Sequence, residues 1–262
     1  NAWIPSEADR TTREVYVTYS DDDGLTWAPH TNITSQVYQA GWDWYGMGPG
    51  HAFVKTRAPH AGRVIFPSRH GVDGAPGTSH IIYSDDNGNT FQLGGELTEG
   101  NESMACEQSD GDILFTARGG PIPDYRYMGI SSDGGATFPI QYVDYGLKGS
   151  GRCQASLVEH SINLVTGKAN ILFSNPDDLA LRVNGTIKLS ENDGDLGTWV
   201  KEFRYSDPAP AFSGYSDIAV INAAGDAGII WEFGSHYDKP QRWDGGVKFR
   251  AIPFSAINQP IN

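Results

Sequence analysis

Arg118 and Arg182 carry the group best suited to gripping a carboxylate. A planar guanidinium offers two parallel donors and stays charged at any working pH. Tyr215, in the run GYSD, supplies a phenol, and Glu102, in the run NES, supplies a carboxylate. A phenol whose proton is taken by a neighbouring base becomes a nucleophile. Each has a plainer alternative: arginines in surface ion pairs, a tyrosine packed near a strand start, a solvated glutamate. Trp42, Asp43, Trp44, Tyr45 and Met47 fall in GWDWYGMGPGHAF (Gly41–Phe53), too rich in Gly and Pro to be regular throughout. They suit a pocket wall and equally a core between sheets. Arg69 and His70 follow the run IFPS. The histidines show no H-x-x-x-H pairing, and DDDG and DDNG lack the other ligands of a calcium loop, so no metal or cofactor site is read.

The elements that would position these residues are announced by a repeated octet, Ser-x-Asp-x-Gly-x-Thr-aromatic. It occurs as SDDDGLTW at Ser20–Trp27, SDDNGNTF at Ser84–Phe91 and SSDGGATF at Ser131–Phe138. A looser copy, SENDGDLGTW, fills Ser190–Trp199. The octet is turn chemistry: Asp and Gly fold the backbone, Ser and Asp bond neighbouring N–H groups, and the aromatic is expected to pack beneath the next sheet. Strand-like runs lead into the copies: EVYVTYS (Glu14–Ser20), HIIYS (His80–Ser84), YMGISS (Tyr127–Ser132) and LRVNGTIKLS (Leu181–Ser190). NESMACEQSDGDILFTARG (Asn101–Gly119) reads as two strands about a turn, and CQASLVEH with ANILFSN as a hairpin. GYSDIAVI, GIIWEFG and GVKFRAIPF add three more. About four strands per octet, in units of roughly 40–60 residues, is the blade period of a β-propeller.

The 262 residues suit one repeat-built domain, with 32 Gly and 15 Pro for its many tight turns. No apolar run is long enough to span a membrane. A net charge of −13 argues against nucleic acid or an anionic membrane as partner. An anionic ligand would need a local cluster of arginines. Cys106 and Cys153 are two buried thiols or one bridge. Sequons at Asn32, Asn101 and Asn184 are compatible with a glycosylated secretory protein. NAWIPSEADR lacks the basic end and apolar stretch of a signal peptide.

Several segments resemble the exo-sialidase family of Asp-box glycoside hydrolases. They are WxWYxxGPG (Trp42–Gly50), NExxxxExxDGxxLxxxR (Asn101–Arg118), CQASL, LFSNP with RxNxTxKLS (Arg182–Ser190), and GYSDxAV. The resemblance implies an all-β, six-bladed propeller over residues 1–262, acting on sialylated glycans or binding free sialic acid, secreted or in a lysosome-type lumen. It implies Tyr215 as nucleophile and Glu102 as its base. A neutral phenol suits a sialic acid, whose anomeric carbon bears a carboxylate that repels an anionic attacker. Arg118 and Arg182 match two members of the family's carboxylate-gripping arginine triad. Trp42, Asp43, Trp44, Met47 and Arg69 match pocket positions.

The family's Arg-Ile-Pro motif and general-acid Asp have no match. WIP at Trp3–Pro5 lacks the Arg, and Glu7, Asp9 and Glu14 lack the acid's flanking residues. The first octet aligns best with the family's second. We therefore expect roughly the first one to one and a half blades to be absent, and little turnover of natural sialosides by the chain alone. The expected function is a retaining exo-sialidase. The alternatives are a non-catalytic sialic-acid-binding propeller and an Asp-box scaffold.

Overall fold

The computed structural model describes residues 13–72, 75, 77–149, 152–207, 211–234 and 245–259. Trp3–Pro5, Glu7 and Asp9 lie outside them. A two-stranded ribbon comes first, β1 (Tyr16–Val17) with β2 (Thr31–Asn32), then a single turn of helix α1 (Thr34–Val37). The first sheet holds β3 (Trp44–Met47), β4 (Phe53–Val54), β5 (Val64–Gly71), β6 (Thr78–Ser84) and β7 (Gln92–Glu96). The second runs in order through β8 (Ser103–Glu107), β9 (Ile113–Ala117), β10 (Tyr125–Ser131) and β11 (Ile140–Lys148). The third is β12 (Ser156–Ile162), β13 (Ala169–Pro176), β14 (Gly185–Ser190) and β15 (Trp199–Arg204). The fourth is β16 (Ser216–Val220), β17 (Ala227–Phe233) and β18 (Gly246–Ile252), and α2 (Phe254–Ile257) follows.

Every pairing is antiparallel. The first strands of successive sheets meet, β8 against β12 and β12 against β16, with β5 against β8. This is a β-propeller arrangement with four sheets described. Strands near the centre are buried on both faces and read as continuous apolar or small-residue runs, such as Ile113–Ala117. Apolar clusters fill the gaps between sheets, for instance Met104, Leu114 and Met128 against Leu157, Ile171 and Phe173.

Three octets join the third and outer strands of their sheets, and the first joins β1 to β2. In the three regular copies the Ser hydroxyl accepts the Gly N–H at 2.8 Å. Thr donates its N–H and hydroxyl to the two oxygens of the Asp. The Gly that closes the turn has φ of +84° at both Gly24 and Gly88, where a side chain would be strained. The aromatics meet the expectation in part. Phe91 meets Phe66 and Phe138 meets Phe115, both within their own sheets, because the tight turn folds the ring back over its own second strand. Phe138 also shares a core cluster with Ile65 and Ile81 of the first sheet, and Trp199 donates its indole N–H to Asp144 of the second at 2.9 Å. Trp27 is 62 % exposed, and its indole N–H donates to the Gly24 carbonyl at 3.2 Å.

EVYVTYS is a strand only at Tyr16–Val17. Val15 instead gives its N–H to the Thr34 hydroxyl and its carbonyl to Ile33, which ends the ladder. The outer strands β11 and β15 and the two helical turns carried no sequence signal. Both cysteines are free and buried. No described helix is long and apolar enough to cross a membrane.

One buried feature sets an acid limit on stability. His70 and His80 pair through their Nδ1 atoms at 3.0 Å, which requires one Nδ1–H donor and one unprotonated Nδ1 acceptor, so the two cannot both be charged. Trp42 stacks on His70 at 3.7 Å, and Tyr45 meets His80 edge-on. Burial lowers His70 to about 4. Burial, then the charge of its partner, lowers His80 to about 3. Folded values below the unfolded value mean that the unfolded chain takes up protons first. Stability is therefore complete above about pH 6.5 and falls as pH drops toward 4, by up to roughly 1.4 kcal/mol per unit for each histidine. Thermal unfolding between pH 7 and 4.5 should show this slope, and His80→Gln should reduce it. An unchanged slope in the variant would assign the acid limit to other groups.

Candidate active site

Glu102 and Arg118 face each other across the open end of the β8–β9 hairpin, which turns through Ser109–Asp112. Ser103 pairs with Ala117, and one step further the Arg118 N–H donates to the Glu102 carbonyl at 2.8 Å. Side chains directly opposite on adjacent strands are neighbours. Arg118 Nη1 accordingly donates to Glu102 Oε2 at 2.5 Å.

Tyr215 enters from the fourth sheet. Its hydroxyl donates to Glu102 Oε1 at 2.5 Å and accepts from Arg118 Nη1 at 2.8 Å. Three groups 97 and 113 positions apart in sequence thus share one hydrogen-bonded triangle. Arg182 comes from the loop before β14, where its carbonyl accepts the Ser213 N–H at 2.9 Å. That bond holds it beside the approach to Tyr215, and its guanidinium lies over the Tyr215 ring at 5.3 Å from the centroid. The structure therefore brings Tyr215, Glu102, Arg118 and Arg182 together, from the second, third and fourth sheets.

The electrostatics follow from the triangle. Burial and the adjacent Glu102 push the Tyr215 phenol up to about 12, against the pull of Arg118 and Arg182. The phenol is therefore neutral at ordinary pH. Burial opposes the Arg118 charge, but the Glu102 carboxylate outweighs it and holds the guanidinium above its usual value.

The other expected residues divide. Arg69 binds Asn101 Oδ1 through Nη1 and stacks on Trp44 at 3.8 Å. Asn101 Oδ1 also accepts the Glu102 N–H at 2.9 Å, so Arg69 and Trp44 adjoin the triangle. Trp42 is taken up by its stack on His70 and Tyr45, the packing alternative. Tyr45 is buried in the same cluster. Asp43 pairs its N–H with the Gly71 carbonyl, and Met47, 43 % exposed, accepts from the Ser68 hydroxyl at 3.5 Å. Neither is linked to Tyr215 by a hydrogen bond among the described residues.

Sequence reading missed the residues that hold Tyr215 in place. Glu232 Oε2 accepts the Tyr215 N–H at 3.0 Å, while its backbone N–H donates to the Tyr215 carbonyl at 2.9 Å. Gly214 is required there, because a Cβ would sit 2.2 Å from Glu232 Oε2. Gln154, buried where the sheets meet, brackets Ser216: its Oε1 takes the Ser216 N–H and its Nε2 donates to the Ser216 carbonyl, both at 3.0 Å. Asp217 accepts from the Ser156 hydroxyl at 2.7 Å and pairs with His51 Nδ1 at 2.8 Å. A glutamate interrupting the apolar run GIIWEFG was the available signal for Glu232. A cavity of about 210 Å³ beside Tyr215 is lined by Gln154, Asp217, Trp231 and Glu232 among others.

The opposite end of the inner strands is tied by ion pairs. Glu107, at the far end of β8 from Glu102, binds Lys55 and Arg57, and Arg57 also forks onto Glu159. No described group of three or more His, Cys, Asp or Glu side chains could hold a metal ion.

Residues 2–226 match the family described as BNR repeat-like domain. A sialidase of Micromonospora viridifaciens is 29% identical over 250 residues, covering 92% of this chain and 37% of that protein. A sialidase of Bacteroides fragilis is 28% identical, over 84% of this chain and 40% of its own length. The chain thus spans less than half the length of these relatives. Among solved structures, the intramolecular trans-sialidase of Ruminococcus gnavus, in complex with oseltamivir carboxylate, superposes with a TM-score of 0.78 at 24% identity. It covers 94% of this chain and 52% of that one. The leech intramolecular trans-sialidase superposes with a TM-score of 0.77 at 22% identity, over 93% and 37%.

Proposed function

The chain belongs to the sialidase-type BNR repeat-like domain family, and from that premise we propose that it is a retaining exo-sialidase that removes terminal sialic acids from glycans. The observation that carries this reading is the triangle of Tyr215, Glu102 and Arg118 with Arg182 above the ring. Arg118 and Arg182 hold the sugar's carboxylate. Glu102 takes the phenolic proton as Tyr215 bonds to the anomeric carbon and the glycosidic oxygen departs. A phenol pushed up to about 12 does not ionise beforehand, so proton loss and attack are coupled. Water then attacks the glycosyl-tyrosine with Glu102 positioned to manage its proton, and two inversions give retention. The same reading takes the ring as six-bladed and its working compartment as secretory or lysosomal.

The departing oxygen of a natural sialoside must be protonated as it leaves. An activated aryl sialoside needs little of this protonation and is the substrate of choice for measurement. Incubation with a fluorinated sialosyl fluoride tests the reading. Tyr215 should form a bond to the anomeric carbon as fluoride leaves, and the added mass should map to the peptide containing Tyr215. A label on any other residue, or none, would overturn it.

A further inference from the structure

Arg69 has an arginine's usual reasons to be paired and lacks the pair. Arg57, Arg63 and Arg250 all reach carboxylates. Among the described residues no carboxylate lies within ion-pair distance of Arg69; its hydrogen bond goes to the neutral Asn101 side chain, and its buried Nε has no partner. A buried donor left without a partner costs stability, which an added acceptor would recover.

Its geometry is nevertheless fixed. The Trp44 ring lies 3.8 Å from the Arg69 guanidinium and 4.5 Å from that of Arg13, so one indole supports two cations. Arg13 is likewise without a carboxylate among the described residues, with a single long contact to the Tyr45 carbonyl at 3.5 Å. Asn101 then ties Arg69 to the Glu102 backbone. Burial lowers the Arg69 pKa against the pull of the Glu102 carboxylate, and Arg118 and Arg13 add to the lowering, which a further anion alongside would relieve.

The sheet that carries Arg69 sets it apart from the other arginines of the site. It comes from the first sheet, Glu102 and Arg118 from the second, and Arg182 from the third. Arg69 therefore approaches Glu102 from a different sheet than Arg182 does.

We propose that Arg69, supported by Trp44 and joined by Arg13, forms a second anion subsite next to the sialic acid pocket, and that it takes a further anionic substituent of the glycan: the carboxylate of a second acidic sugar or a sulfate ester. This rests on the sialic-acid reading above. It makes the protein selective for glycans carrying two negative charges over glycans carrying one.

Calorimetric titration separates the two claims, because it needs no turnover. The probes are 3′-sialyllactose, a disialyllactose and a sulfated 3′-sialyllactose, at low and moderate salt. With the intact chain, at least one doubly charged ligand should bind roughly tenfold tighter than 3′-sialyllactose, the usual worth of a charge-assisted fork. Preference for the disialyl ligand identifies a carboxylate, and preference for the sulfated one identifies a sulfate. Raising salt should shrink the preference. In Arg69→Gln the ratio of affinities should fall to near one, and in Arg69→Lys it should be intermediate, with thermal unfolding recorded for both variants. If 3′-sialyllactose binds but neither doubly charged ligand is preferred, the subsite is refuted while the sialic-acid reading stands. If Arg69→Gln weakens all three ligands by the same factor, Arg69 serves the sialic acid itself and the subsite is refuted. If no sialoside binds, both readings fall.

Discussion

Tyr215→Phe should abolish turnover of an aryl sialoside, with a loss of roughly 10³-fold or more in kcat, while a sialic acid analogue still binds. The single oxygen removed is the one that accepts from Arg118 and donates to Glu102. Without it there is no covalent route, and what is left is the electrostatic help of the two arginines. The ring itself remains, so the packing of Arg182 over it at 5.3 Å is kept and the clamp is preserved. Glu102→Gln makes the complementary point. The nucleophile stays but its proton has nowhere to go, so kcat should fall again. Steady-state kinetics with an aryl sialoside, beside calorimetry with an unsaturated sialic acid analogue, checks both variants. A Tyr215→Phe chain that kept a tenth of the parent rate would remove Tyr215 from the chemistry. A parent chain that bound the analogue and turned over no aryl sialoside would make the protein a binding module.

The architecture was legible because its signals are local. Each octet is a closed hydrogen-bonding unit of Ser, Asp, Gly and Thr, so its presence in sequence nearly dictates its turn in space. The β8–β9 hairpin was legible for the same reason: two apolar runs around Ser-Asp-Gly-Asp set a register that puts Glu102 opposite Arg118. Meeting of that pair with Tyr215 and Arg182 was expected from family resemblance, and no local rule could have produced it, because it depends on how four sheets close around one centre. The supports of Tyr215 were barely legible, with only the glutamate that interrupts GIIWEFG as a hint. Gln154 and Glu232 act through backbone atoms of Ser216 and Tyr215 that lie 62 and 17 positions away, and no local pattern names those distant partners. The outer strands β11 and β15 escaped for a different reason. Each is solvated on one side and mixes polar with apolar residues, so periodicity cannot separate it from loop. Trp42 shows the limit of composition: an aromatic cluster reads alike as pocket or core, and the stack on His70 at 3.7 Å chooses core for this one.

Arg182→Ala should weaken binding of an unsaturated, planar sialic acid analogue by roughly 2–4 kcal/mol, about 30- to 1,000-fold in Kd. Of the two clamp arginines, Arg182 gives the cleaner measurement. Arg118 also bonds Glu102 and Tyr215, so removing it disturbs the base and the nucleophile together. Arg182 makes no ion pair among the described residues, and its hydrogen bond is one from Nη2 to the Arg152 carbonyl at 3.3 Å. Truncating it leaves no buried carboxylate stranded in the protein, and the loss reports on the ligand. The backbone that carries it is held independently, through the Ser213 N–H and the Val183–Phe212 bridge, so the loop should keep its course in the variant. Arg182→Lys keeps the charge and loses the parallel fork, and it should recover part of the binding and no more. Raising salt should weaken the parent more than Arg182→Ala, because the variant has one fewer charge for the counterions to screen. Equal affinity across the parent and both variants would mean that the ligand carboxylate does not sit between Arg118 and Arg182, and the orientation of the sugar over Tyr215 would have to be redrawn from some other contact.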